Sequence, residues 1–118
     1  MKFYVMVAFL ALSTTFVFSQ KKNKSVTFEV DGVCFMCKAR IEKAALSVTG
    51  VKYAKWDIPS HQLSLIVDER KTNAMAIKTA LVVAGHDTKE LKAPLEVYEE
   101  LHPCCHYREI DADNTTHH

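Results

Sequence analysis

The chain lacks a charge excess of either sign. It carries 15 Lys and Arg against 14 Asp and Glu over 118 residues. Without a basic surplus nothing holds a phosphate backbone, so nucleic acid is excluded as an expected partner. It also lacks an apolar run of the ~20 residues that a membrane span needs. The Phe3 to Leu12 run falls short of that length. No cysteine follows this run, which argues against a bacterial lipid anchor. Internal repeats are absent, and so is any motif that would mark a Ser, His and Asp hydrolase nucleophile. The chain is therefore expected not to be an enzyme.

The first 19 residues have a basic start at Lys2, an apolar core and small residues at Val17 and Ser19. That is the three-part pattern of a secretory leader, with cleavage expected after Ser19. The expected location is periplasmic or secreted, with no stable membrane insertion once the leader is removed. The remaining chain is long enough for one small domain.

From residue 25 the pattern is regular. Val26, Phe28 and Val30 alternate with polar residues, which predicts a half-buried strand ended by Gly32. From Cys37 the period lengthens. Ile41, Ala44, Ala45 and Val48 form a helical stripe, closed by Gly50. A second strand is expected over Val51 to Ile58 and a third around Leu63, Leu65 and Val67, joined by the turn Pro59-Ser60-His61. Thr72 is the expected N-cap of a second helix with stripe Ile77, Ala80, Leu81 and Ala84, stopped by Gly85. A weaker strand is expected over His86 to Leu91.

This order is β-α-β-β-α-β. It predicts an α+β, ferredoxin-like sandwich: a four-stranded antiparallel sheet with two helices on one face. Pro94 then opens a short helical piece, giving a C-terminal extension over 92–110. Residues 111–118 are polar and expected to be a tail without fixed structure.

The chain has four cysteines, and they come as two pairs, Cys34 with Cys37 and Cys104 with Cys105. In an exported chain four cysteines usually suggest disulfides. Adjacent cysteines bond to each other only with strain, because neighbouring Cα atoms stand ~3.8 Å apart. Cys34 and Cys37 lie between a strand and a helix. A helix start offers free N–H groups and partial positive charge, and both favour thiolate. Two sulfurs two residues apart can converge on one soft ion. They can equally run thiol–disulfide exchange, as in thioredoxin-type sites.

The segment VDGVCFMCKARIEKA, the following Gly50-Val51 and the later Ala84-Gly85-His86-Asp87 resemble the heavy-metal-associated domain family, over about residues 25–91. That family includes copper chaperones, metal-binding modules of copper-exporting P-type ATPases and a periplasmic mercury-binding protein. The resemblance implies soft-metal binding by Cys34 and Cys37. The family usually reads G-M-T-C-x-x-C, whereas here Val33 alone separates Gly32 from Cys34.

His86 falls where the second helix ends, on the side of the Cys34 loop, and is a candidate third ligand or hydrogen-bond donor. Cys104 and Cys105 are candidate third and fourth ligands. A fourth strand would run away from the Cys34 end, so residues 92–103 would have to lead back. His102 and His106 flank that pair. Phe35 and Met36 are expected to tuck against the extension, with Met36 a less favoured thioether ligand. Two thiolates favour Cu(I), while four ligands would favour Zn(II) or a similar ion; Hg(II) is a further possibility. The expected partners are a metal ion and a metal-accepting protein such as an exporter or cuproprotein.

Overall fold

The computed structural model describes residues 21–109. The leader over 1–19 and the tail over 111–118 lie outside them. Strands β1 (Lys24–Glu29), β2 (Val51–Trp56) and β3 (Gln62–Val67) form one antiparallel sheet in the order β1-β3-β2. Helices α1 (Phe35–Leu46) and α2 (Ala74–Val83) follow β1 and β3. A short helix, α3 (Leu95–Glu99), and a 3₁₀ turn (Pro103–Cys105) make up the extension.

The alternation predicted for β3 decides which way the sheet faces. Leu63, Leu65 and Val67 are buried, while Ser64 and Ile66 between them are exposed. Only one face is covered, so both helices lie on it. Ile41 and Ala45 of α1 and Ile77 and Leu81 of α2 are fully buried in the core with those strand residues. β1 pairs along its whole length with β3, from Lys24 opposite Val67 to Glu29 opposite Gln62.

Trp56, the last residue of β2, is fully buried. Its Nε1–H donates to the carbonyls of Val30 and His61, each at 3.1 Å. The indole thereby ties the end of β1 to the start of the hairpin strand. His61 adopts a left-handed backbone (φ 61°) to close that hairpin and stacks on the indole at 5.4 Å. It is a half-buried packing residue rather than a solvated turn residue.

The second helix begins one residue later than predicted. Asn73, not Thr72, is its N-cap and accepts from the Ala76 N–H at 2.9 Å. Gly85 ends it with φ 105°, a conformation that costs glycine little. Its missing side chain also admits Leu101, since a Cβ there would meet Leu101 Cδ2 at 2.9 Å.

The fourth strand does not form among the described residues, and the sheet has three. The chain after Gly85 makes one backbone bond toward β1, from Asp31 N–H to the Asp87 carbonyl at 2.9 Å. It then turns. Thr88 N–H donates to the Leu91 carbonyl (2.9 Å) and Leu91 N–H to the Thr88 hydroxyl (3.1 Å). The Asp87 carboxylate takes the Ala93 N–H at 2.7 Å. Side chains of Asp and Thr here supply local partners that compete with a strand ladder.

Asp87 also anchors the extension. Its buried carboxylate accepts from Arg108 Nε at 2.9 Å and Nη2 at 2.7 Å. Arg108 Nη2 reaches the Ala93 carbonyl, and its guanidinium lies 4.3 Å over the Tyr98 ring. The Tyr107 hydroxyl donates to the Gly85 carbonyl (2.7 Å) and accepts from Asp87 N–H (3.0 Å). Burial pushes the Asp87 carboxyl pKa up, but Arg108 and the Ala93 N–H outweigh that and hold it below the usual carboxylate range.

Removing Arg108 leaves the buried Asp87 carboxylate with only the Ala93 N–H at 2.7 Å and the exposed Lys92 ammonium at 4.0 Å. Arg108→Met is expected to cost roughly 3 kcal/mol, the low end for a broken buried pair because Arg108 itself is partly exposed. Urea unfolding monitored by circular dichroism measures this. A variant within about 0.5 kcal/mol of the parent, the range of an ordinary surface change, would remove the anchor role.

Candidate metal site

The first pair of sulfurs is positioned by the junction of β1 and α1. Cys34 is the N-cap of α1, with extended backbone, and its carbonyl accepts the first helical bond from Lys38 N–H at 2.9 Å. The helix therefore starts at Phe35, two residues earlier than the apolar period indicated. Cys37 falls in the first turn and is fully buried. Gly32 sets the loop against the core. A Cβ there would stand 3.0 Å from the Trp56 ring and 3.1 Å from Cys37 Cβ. Val33 is half-buried and packs on the core, so the loop closes with one residue fewer than the family pattern.

The second pair arrives from the extension. Because no strand carries the chain away, α3 and the 3₁₀ turn stay at this end of the domain, and the turn packs against α1. The return path allowed for in the sequence reading is not needed. Cys34 Sγ lies 3.2 Å from Cys104 Sγ, 3.9 Å from Cys105 Sγ and 4.0 Å from Cys37 Sγ. Cys104 and Cys105 sulfurs are 3.9 Å apart. Cys34, Cys104 and Cys105 all fall within 4.8 Å of one another, and Cys37 joins them through its 4.0 Å approach to Cys34. No disulfide joins them. Sulfurs around one tetrahedral ion at about 2.3 Å stand ~3.8 Å apart, so this spacing fits a single thiophilic ion.

The four thiols are not equivalent. Burial pushes Cys34 up, but the N–H groups of Cys37 and Met36 and the thiols of Cys104 and Cys105 bring it down to about 7. The helix start does favour thiolate there, as the sequence position implies. Cys104 is pushed up by its hydrogen bond to Cys34 and by burial. Cys105, fully buried, is pushed up strongly by burial and by Cys37.

His86 stands outside this sulfur group. It is fully buried, stacks on Tyr107 at 5.7 Å, and donates from Nδ1 to the Asp31 carbonyl at 2.9 Å. Nε2 has no hydrogen-bond partner among the described residues. Burial lowers its pKa to about 4, with Arg40 adding to the effect and the Asp31 carbonyl opposing it. The other histidines of the extension hold it together. His102 accepts from Cys104 N–H at 3.4 Å, and His106 Nε2 meets the Leu101 carbonyl at 2.9 Å. Phe35 does not tuck against the extension but is 78% exposed. Met36 is half-exposed, with Sδ 3.4 Å from Cys104 Sγ. Glu29, Asp31 and His61 form a second group within 4.8 Å, but its hard oxygen donors do not suit a soft ion.

No family model matches the sequence, and no curated protein does. Solved structures do. One titled CopZ metallochaperone is 27% identical, covers 55% of this chain and 98% of its own, and superposes with a TM-score of 0.53. This is the fold of the heavy-metal-associated domain. The N-terminal soluble domains of Bacillus subtilis CopA match at 27% identity and TM-score 0.53, over 59% of this chain and 48% of that one. A copper binding domain from HMA7, a P-type ATPase, matches at 23% identity and TM-score 0.53, over 55% and 89%. The heavy-metal-associated fold of this chain thus has three strands where the sequence order implied four, and carries the extension in addition.

Sequence reasoning missed Asp87, Tyr107 and Arg108 as the residues that place Cys104 and Cys105. The only local sign was an aromatic and a basic residue directly after the Cys-Cys-His run.

Two outcomes follow from these environments. Iodoacetamide labelling of the reduced protein, read by mass spectrometry, is expected to modify Cys34 first, with a rate that rises through a midpoint near pH 7. Faster labelling of Cys105 would contradict the assignment. The second outcome concerns acid. His86 is held neutral in the fold, with its pKa near 4 against an ordinary 6.5. Its contribution is fully present above pH 6.5 and is lost as pH falls toward 4, a difference on the order of 3 kcal/mol. Denaturant titrations at several pH values should show that loss shrink markedly in His86→Gln. An unchanged acid slope would refute it.

Proposed function

We propose that this chain is an exported soft-metal carrier that binds Cu(I) through Cys34, Cys37, Cys104 and Cys105 and buffers or delivers it. The observation that carries the reading is the gathering of sulfurs from two segments 70 residues apart in sequence into one pocket. The donors are all sulfur. No carboxylate or imidazole belongs to the group, and such a set suits Cu(I) better than harder ions. Four thiols could also close around Zn(II) or Hg(II). Cu(I) is favoured because it accepts three sulfurs as readily as four, and Cys34 gives up its proton near neutral pH while Cys104 and Cys105 hold theirs. Every further proton must be displaced by the metal, which the strongest thiolate binders do best.

The arrangement also suits a cargo that must leave. Cys37 and Cys105 are buried, while Cys34 and Cys104 are half-exposed. An acceptor's thiols can displace the outer pair first and the inner pair after. The likeness to a metallochaperone supports this role, and the likeness to P-type ATPase domains supports a metal exporter or a cuproprotein as the receiving partner. The role is binding and transfer without catalysis. Export rests on the leader over residues 1–19, which would deliver the protein to the periplasm or beyond the cell.

The test is a competition titration of the fully reduced protein against a chromophoric Cu(I) chelator. Cu(I) is expected to bind far more tightly than Zn(II). Cys34→Ser should abolish the tight phase. The double change Cys104→Ser, Cys105→Ser should weaken Cu(I) at least about tenfold, equivalent to ~1.4 kcal/mol. Parent-like affinity in Cys34→Ser would defeat the reading, and parent-like affinity in the double variant would confine the site to the first pair.

A further inference from the structure

The sulfur pocket opens to solvent past a methionine. Met36 is the second residue of α1, between the two loop cysteines. It is 45% exposed, and its thioether lies 3.4 Å from Cys104 Sγ. That is inside the range spanned by the sulfur contacts of Cys34 with Cys37, Cys104 and Cys105, which runs from 3.2 Å to 4.0 Å. The thioether is therefore as close to Cys104 as Cys34 is to its neighbouring thiols. An apolar packing role would turn a methionine into the core. Here the side chain stays at the rim and directs its sulfur toward Cys104.

Exposure rises in steps along the pocket. Cys37 and Cys105 are fully buried, Cys34 and Cys104 are half-buried, and Met36 is the most exposed of the five. An ion arriving from solvent meets Met36 and Cys104 before it meets the inner pair. A thioether is a soft, neutral donor with no proton to lose. It coordinates Cu(I) well and a borderline ion such as Zn(II) poorly.

We propose that Met36 is a fifth sulfur ligand of this pocket, a rim thioether that takes Cu(I) on entry and release and biases the site toward Cu(I) over Zn(II). This rests on the reading of the cysteine pocket as the metal site. The step is ligand exchange only. The Met36 sulfur donates a lone pair to the ion and stays bound while the thiols coordinate, each releasing its proton to solvent, and no electron changes hands. A weak neutral ligand leaves readily, which suits the mouth of a site that must load and unload.

Met36→Leu keeps the volume, the apolar character and the helix preference and removes only the sulfur. The experiment uses the reduced full chain under anaerobic conditions. It combines chelator competition for Cu(I) and for Zn(II) with ¹³C-methyl methionine spectra. Cu(I) is expected to shift the Met36 methyl resonance strongly and to leave Met75, on α2, unmoved. Met36→Leu should weaken Cu(I) about tenfold while Zn(II) affinity stays within about twofold. A Met36 methyl that stays in place at saturating Cu(I), or equal losses for the two ions, overturns the proposal. Tight, cysteine-dependent Cu(I) binding with a silent Met36 overturns this inference alone. Absence of tight Cu(I) binding by the parent protein overturns both this inference and the function it rests on.

Discussion

A buried carboxylate must find partners or be neutralised, and Asp87 finds them in the last described turn of the chain. Arg108 answers it with two hydrogen bonds, and Ala93 N–H with a third. Tyr107 bridges its backbone to that of Gly85. This arrangement fixes where residues 93 to 108 lie. It keeps them beside the end of α2, which is also the end where α1 begins. Everything distinctive about the cysteine pocket follows from that placement. A chain that had continued as a fourth strand would have needed residues 92–103 to lead back before the second pair of sulfurs could reach this end.

The pocket itself joins two kinds of thiol. Cys34 on the loop takes its character from the helix start, where free N–H groups stabilise negative charge. The pair on the extension takes its character from burial and from the neighbouring thiols, which hold protons on. The readily ionised Cys34 beside the two reluctant thiols of the extension gives a point of first attachment. Shell completion then releases protons as it proceeds, so occupancy is coupled to pH through the extension. The loop packs tightly on the core because Gly32 lets the Trp56 ring approach it closely.

Much of the fold was legible because periodicity is local. The alternation of Leu63, Leu65 and Val67 and the helical spacing of Ile41 with Ala45 and of Ile77 with Leu81 each report a face that needs covering. The Cys34-x-x-Cys37 placement at a strand-to-helix junction was legible for the same reason. What failed was the segment from His86 to Leu91. Its expected strand came from the order of the other elements, whereas its actual turn comes from the Thr88 hydroxyl and the Asp87 carboxylate, whose partners lie several residues away. The meeting of Cys104 with Cys34 was open in the sequence because it depends on Asp87 finding Arg108, 21 residues on. Phe35 and Asn73 show a smaller limit. Exposure of one ring and the choice between two adjacent capping residues turn on fractions of a helical turn.

The indole of Trp56 sits against the loop that carries Cys34, with its N–H shared between Val30 and His61. It is the chain's sole tryptophan. Its emission therefore originates from a single place, beside the loop glycine and the buried Cys37. A heavy ion seated on those sulfurs would lie within quenching range of the excited ring. An ion held as proposed would thus be reported by the protein's own indole, without dye or label.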